Sequence, residues 1–156
     1  MWRKNVHASI IDCHTHTNFS DGESSFEENV RAAAAKGCRV LVSTDHLTLP
    51  ASMDPRCECQ VPVRDLPAHQ AAFDAARELA AQIAPDMDFI FGFECDWYPG
   101  CERNVAQWAQ NARVKLGSVH WIGDAGDTSI AAGERGCERI DPADEPGLAA
   151  GWIDYS

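Results

Sequence analysis

Positive charge is scarce in this chain: 13 Lys and Arg stand against 24 Asp and Glu over 156 residues, a formal net charge of −11. So acidic a surface repels a phosphate backbone, and no basic stripe compensates for it, so nucleic acid is not an expected partner. A phosphorylated small molecule would be repelled as well, unless bound cations inverted the field at the site. Long apolar runs are also missing. No stretch reaches the ~20 residues of a membrane span, and Met1-Trp2-Arg3-Lys4-Asn5 leads into a strand rather than into the apolar region of a signal peptide. The expected location is the cytoplasm. No Gly-x-Gly-x-x-Gly or Walker sequence follows the first strand, which removes the usual support for nucleotide binding.

Cysteine is present but lacks a disulfide pattern. The seven cysteines (Cys13, Cys38, Cys57, Cys59, Cys95, Cys101 and Cys137) are odd in number and irregularly spaced, which predicts reduced thiols. Cys57-Glu58-Cys59 reads as a pair of loop thiols between Pro55 and Pro62, because a zinc site normally needs two further ligands and wider spacing.

At 45% hydrophobic content, a chain of this length can bury one core, and one domain is the default. Four apolar runs read as buried strands: Ala8 to Asp12, Arg39 to Ser43, Asp88 to Phe93 and Val114 to Val119. Three helical patterns lie between them. Ser24 and Ser25 precede Glu27 and Glu28 in a capping arrangement, Phe26, Val30, Ala33 and Ala34 make an apolar face, and Lys36-Gly37 closes the first helix. A second helix begins near Pro67 and carries Ala72, Phe73, Ala76, Leu79, Ala80 and Ile83 before Pro85. A third is expected from about Glu102 to Ala112, with Trp108 as a core residue. Strands alternating with helices imply parallel strands joined by right-handed crossovers, in an open α/β sheet or a (β/α) barrel. The division expected is 1–122 for this domain and 123–156 for an irregular loop or tail rich in Gly, Ala, Asp, Glu and Pro.

The chemistry-bearing residues fall in a pattern on this alternation. His14 and His16, two apart, emerge on the same side of the chain and can grip one cation. They follow strand one, Asp45-His46 follows strand two, Glu94 follows strand three and His120 follows strand four. Strand C-termini converge on one face in parallel barrels and doubly wound sheets. Imidazole and carboxylate without thiolate suit Zn²⁺, Mn²⁺ or Fe²⁺, and a carboxylate such as Glu94 can bridge two cations. Water held between two metals becomes a nucleophile near neutral pH, so the expected reaction is hydrolysis. Asp12 reads equally as an orienting partner for an imidazole and as a turn former.

Four motifs in order resemble the polymerase and histidinol phosphatase (PHP) metallophosphoesterases. They are Asp12-Cys13-His14-Thr15-His16-Thr17 with Ser20-Asp21-Gly22, Ser43-Thr44-Asp45-His46, Gly92-Phe93-Glu94, and Gly117-Ser118-Val119-His120-Trp121. The segments Thr17 to Glu23, Thr44 to Leu47 and Gly117 to Trp121 look like the histidinol phosphatase branch. The resemblance implies an α/β fold made of the N-terminal four βα units of a distorted (β/α)₇ barrel. It further implies up to three divalent metals, with His14, His16 and Glu94 on the first, Glu94 and His120 on the second, and Asp21 with His46 on the third. Glu94 and His120 would then act catalytically, through a metal-bound hydroxide that attacks L-histidinol phosphate and releases L-histidinol and phosphate in histidine biosynthesis. Three cations would also reconcile a net charge of −11 with a phosphorylated substrate.

The chain also departs from the family pattern. A later histidine of the second metal, and an Asp-x-His that completes the first and third, have no counterpart here, and His7 and His69 fall where the pattern uses none. His69 reads as a solvated or packing residue. A C-terminally truncated barrel is therefore the expectation, with unpaired strand edges prone to self-association and weak metal occupancy for the chain alone. Arg56, Arg64 and Arg103 each read as a phosphate partner or as a solvated charge. The alternatives are another PHP phosphoesterase acting on a small phosphomonoester, or a non-catalytic half-barrel that binds metal or a partner. Amidohydrolases also open with His-x-His, but usually place a carboxylated Lys after a later strand, whereas Lys115 lies within strand four.

Overall fold

The computed structural model describes residues 9–51, 53 and 59–120. His7, Arg56, Cys57, Glu58, Trp121 and the expected 123–156 tail lie outside the described residues. The element order is β1 (Ile10–Thr15), α1 (Phe26–Ala35), β2 (Cys38–Ser43), α2 (Leu66–Ile83), β3 (Asp88–Asp96), α3 (Cys101–Trp108) and β4 (Val114–Ser118), with a 3-10 turn at Val63–Asp65 leading into α2.

All three strand pairs are parallel and the sheet order is β1-β2-β3-β4. Strands laid down in chain order, without a reversal, exclude the doubly wound alternative. Right-handed crossovers stepping in one direction place their helices on one face and let the sheet curl. The result, over the described residues, is an α/β half-barrel of four parallel strands.

Local chemistry explains the helices. Ser25 caps α1, its hydroxyl accepting from the Glu28 N–H at 3.3 Å while the Glu28 carboxylate accepts from the Ser25 N–H at 2.8 Å. Gly37 then turns the chain out of α1 with φ 70°, a conformation glycine adopts without steric cost. Pro67 sits in the first turn of α2, where a missing N–H costs nothing.

The core lies between the helices and one face of the sheet. Phe89, Phe91 and Phe93 alternate along β3 toward α2, where Phe73 meets the Phe89 and Phe91 rings at 4.5 and 4.7 Å. Phe26 and Val30 of α1 close the same cluster. By the same alternation, Glu94 and Asp96 project to the opposite face of β3.

Three expectations need correction. β1 is exposed almost throughout, Ile11 to 60%, because it is an edge strand flanked only by β2. β3 runs three residues past Phe93, because Glu94, Cys95 and Asp96 pair with Leu116, Gly117 and Ser118 of β4, so Glu94 lies within the strand rather than after it. α3 ends at Trp108, four residues early, where the Ala109 N–H makes the last helical bond to Val105 and the chain turns to bury Ala109 and Ala112. Trp108 packs half-buried against the core edge. Among the described residues no helix is long and apolar enough to cross a membrane, and the five described cysteines are unpaired.

Candidate metal centre

The open face of the sheet gathers its polar groups around Glu94. This carboxylate is buried at the centre of four imidazoles: Oε2 lies 2.8 Å from His14 Nε2, 3.0 Å from His16 Nε2 and 3.6 Å from His46 Nδ1, and Oε1 lies 3.2 Å from His120 Nε2. Each ring comes from a different position in the parallel register. His14 lies in β1 and His16 just beyond it, His46 follows β2 and bridges directly to Glu94, and His120 follows β4.

Asp21 approaches from the loop after β1, with Oδ1 2.6 Å from His16 Nδ1 and Oδ2 3.4 Å from His46 Nε2. The loop can fold this tightly because residue 22 is glycine. A Cβ there would stand 2.7 Å from the backbone carbonyl of His16 and 2.8 Å from the Thr17 nitrogen. Asn29 of α1 donates to the His16 carbonyl at 2.9 Å, fixing the strand end. All six residues singled out in the sequence (His14, His16, Asp21, His46, Glu94 and His120) are thus brought together.

Two further residues emerge. Asp96 places Oδ1 2.6 Å from His120 Nδ1. Glu94-x-Asp96 has the same two-residue spacing as His14-x-His16, a signal that counts only where pairing with β4 carries β3 as far as Asp96. His69, read as solvated or packing, is fully buried and contacts Asp45 at 2.8 Å. Asp45 itself faces away from the centre, and its carboxylate accepts hydrogen bonds from the loop at Thr17 and Ser20.

Electrostatics follow from this crowding. Burial would push Glu94 up, but hydrogen bonds from His120, His14 and His16 outweigh it and hold the carboxyl far below its usual range. Burial would lower His120, yet its bonds to Asp96 and Glu94 prevail and raise it to about 9. His16 is raised in the same way, its bonds to Glu94 and Asp21 outweighing burial. His46, with burial dominant, is lowered and so favours the neutral imidazole that a cation needs. Cys95, between the two carboxylates in sequence, is pushed by burial to about 12 and stays a thiol, leaving the donor set to nitrogen and oxygen.

The arrangement fits divalent cations. Among the described residues, three groups have ligand atoms within 4.8 Å of one another: His14, His16 and Glu94; His16, Asp21 and His46; His46, Asp96 and His120. Mixed imidazole and carboxylate donors suit Zn²⁺, Mn²⁺ or Fe²⁺, and three protein ligands leave coordination positions for water and substrate. Of the arginines considered, Arg64 stands in solvent beside Asp65 and Arg103 is exposed on α3; Arg56 lies outside the described residues. Lys115 lies within β4, its ammonium donating to the Ala112 carbonyl.

The family model of the PHP domain matches residues 12–135. The chain belongs to the PHP domain family. This PHP domain also superposes on the crystal structure of a Listeria monocytogenes protein, HisK, whose own assignment as a histidinol phosphatase is provisional. The TM-score is 0.60 at 20% identity, covering 71% of this chain and 45% of that one. That likeness establishes the shared fold, and the PHP domain described here spans less than half the length of the Listeria protein. No curated protein matches the sequence. PHP domains are metal-dependent, and the three donor groups of this one lie on the face where its strands end.

Proposed function

We propose that this PHP domain is a metal-dependent phosphomonoesterase whose substrate is L-histidinol phosphate, cleaved to L-histidinol and phosphate in histidine biosynthesis. The observation that carries the reading is Glu94, a buried carboxylate whose two oxygens are shared among imidazoles from the ends of β1, β2 and β4. In this reading His14, His16 and Glu94 hold one ion, Glu94 and His120 a second with Asp96 in reach, and Asp21 with His46 a third. Bound divalent ions supply Lewis acidity toward phosphoryl oxygens and lower the pKa of water. Glu94 fixes the spacing of the donors by sitting between them. Asp96 orients the His120 ring through Nδ1, leaving Nε2 directed at Glu94. His14, whose side chain is 54% exposed, borders the side open to solvent, from which substrate would enter. The provisional assignment of the Listeria protein supports the choice of ester.

The test is phosphate release by protein stripped with chelator and reloaded with Zn²⁺, Mn²⁺ or Fe²⁺. L-Histidinol phosphate would be compared with a sugar phosphate, a nucleoside monophosphate and p-nitrophenyl phosphate. Metal-dependent release, strongest from L-histidinol phosphate and lost in Glu94→Gln, is the expected result. Release favouring another ester would shift the substrate within the family. Full metal loading with no release from any ester would instead establish a non-catalytic metal-binding domain.

A further inference from the structure

Behind the centre lies a polar device that the donor geometry itself does not require. His69 projects from α2 into the aromatic core, its ring centroid 5.0–5.4 Å from those of Phe19, Phe26, Phe91 and Phe93. Its Nε2 meets Asp45 Oδ2 at 2.8 Å, and its Nδ1 is buried without a hydrogen-bond partner. A phenylalanine would fill such a space without burying a nitrogen unsatisfied, so packing alone does not account for the imidazole. Asp45 passes the contact on to the turn after β1. Its Oδ1 accepts from the Thr17 N–H at 2.5 Å and the Ser20 hydroxyl at 2.6 Å, and its Oδ2 also accepts from the Thr17 hydroxyl at 2.8 Å. The Thr17 carbonyl in turn accepts from the N–H groups of Ser20 and Gly22. One buried carboxylate therefore clamps both sides of the turn from which Asp21 reaches His16 and His46.

We propose that His69 and Asp45 form a positioning pair: by locking the Thr17–Gly22 turn, they set the placement of Asp21 and thereby the metal affinity of the His16, Asp21 and His46 group. The inference rests on the reading of that group as a metal site. His69 touches no donor of the centre directly. It acts through the carboxylate it orients, as the outer partners of metal ligands commonly do.

The experiment is calorimetric titration of the full chain, stripped with chelator, with Zn²⁺ and with Mn²⁺. The variants are His69→Phe, which keeps the aromatic packing, His69→Gln, which keeps a donor toward Asp45, and Ser20→Ala, a half-buried change that removes one arm of the clamp. Asp21→Asn, alone and combined with His69→Phe, completes the set. His69→Phe and Ser20→Ala are expected to weaken one class of site about 10- to 100-fold, the class that Asp21→Asn weakens, with His69→Gln restoring most of the loss. His69→Phe should add nothing in the Asp21→Asn background, because two changes acting through one group are not additive. Should His69→Phe fail to fold, Ser20→Ala against Asp21→Asn makes the same comparison. Unchanged affinity in His69→Phe and Ser20→Ala, or losses that add to Asp21→Asn, would overturn the positioning role while leaving the metal centre standing. Absence of metal binding by the unsubstituted chain would overturn both.

Discussion

Lowering the pH from 9 to 7 should weaken metal binding at His120, over a range where an ordinary histidine is already mostly neutral. The His120 imidazole lies between Asp96 and Glu94, and those two carboxylates raise it to about 9 against the pull of burial. A cation must take the place of the proton on that ring. At pH 7 only about one His120 in a hundred is then neutral, against about half at pH 9, so affinity should climb roughly 10-fold per pH unit across that window. An unperturbed histidine, titrating near ~6.5, would give a flat profile there. The assay is titration of chelator-stripped protein with Zn²⁺ between pH 6.5 and 9, in buffers of different ionisation enthalpy, so that the heat reports the protons released. Asp96→Asn removes the strongest contact that raises His120, so the variant should release fewer protons and show a flatter profile. In the metal-free fold the dependence runs the opposite way: the stabilisation from protonated His120 is complete below its unfolded value and disappears as pH rises through about 9. A wild-type affinity independent of pH between 7 and 9, with no proton release, would refute the account.

Glu94→Ala removes the one carboxylate that faces all four imidazoles. It should abolish tight binding of more than one ion per chain, read by elemental analysis after dialysis. Asp45→Asn leaves His69 and the Thr17–Ser20 turn with fewer acceptors in a fully buried site. The expected loss is ~3 kcal/mol, seen as a lower Tm. Burial would raise Asp45, but its bonds from His69, Ser20 and Thr17 hold it below its ordinary value. Its contribution is therefore present above the unfolded carboxylate value of ~3.9 and lost as pH falls through the lower folded value, so the Tm difference from Asp45→Asn should shrink in acid. Gly22→Ala forces a Cβ against the His16 carbonyl and the Thr17 nitrogen, costing ~1–3 kcal/mol. It should weaken the site to which Asp21 contributes more than Gly37→Ala does, measured by metal titration of both variants.

The elements whose signals are local were legible in the chain. Ser25 and Glu28 mark the start of α1, Pro67 marks the first turn of α2, and the apolar runs mark four strands. Two-residue spacing put His14 and His16 on one side of β1, the alternation of strands and helices placed His46, Glu94 and His120 near one rim, and the family resemblance added Asp21. What depends on a distant partner was not legible. β3 extends to Asp96 only because β4 offers Leu116, Gly117 and Ser118 beside it, and without that extension Asp96 does not register as a donor. His69 carries no local mark, since its partner Asp45 lies 24 residues earlier and on another element. The exposure of β1 is set by its place at the sheet edge, which an apolar run such as Ile10-Ile11 does not reveal.

Strand order that repeats chain order also sets a timetable for the centre. His16, Asp21 and His46 are all present once β2 has been made, within a span of 31 residues, so this donor group closes a short loop at low entropic cost. Glu94 arrives only after the long helix α2, and His120 only after β4. A chain emerging from the ribosome therefore offers its donors in sequence, first a site for one ion, then the carboxylate that ties it to its neighbours, and the last imidazole at the end. Metal captured by the first group would hold β1 and β2 together before β3 pairs beside β2.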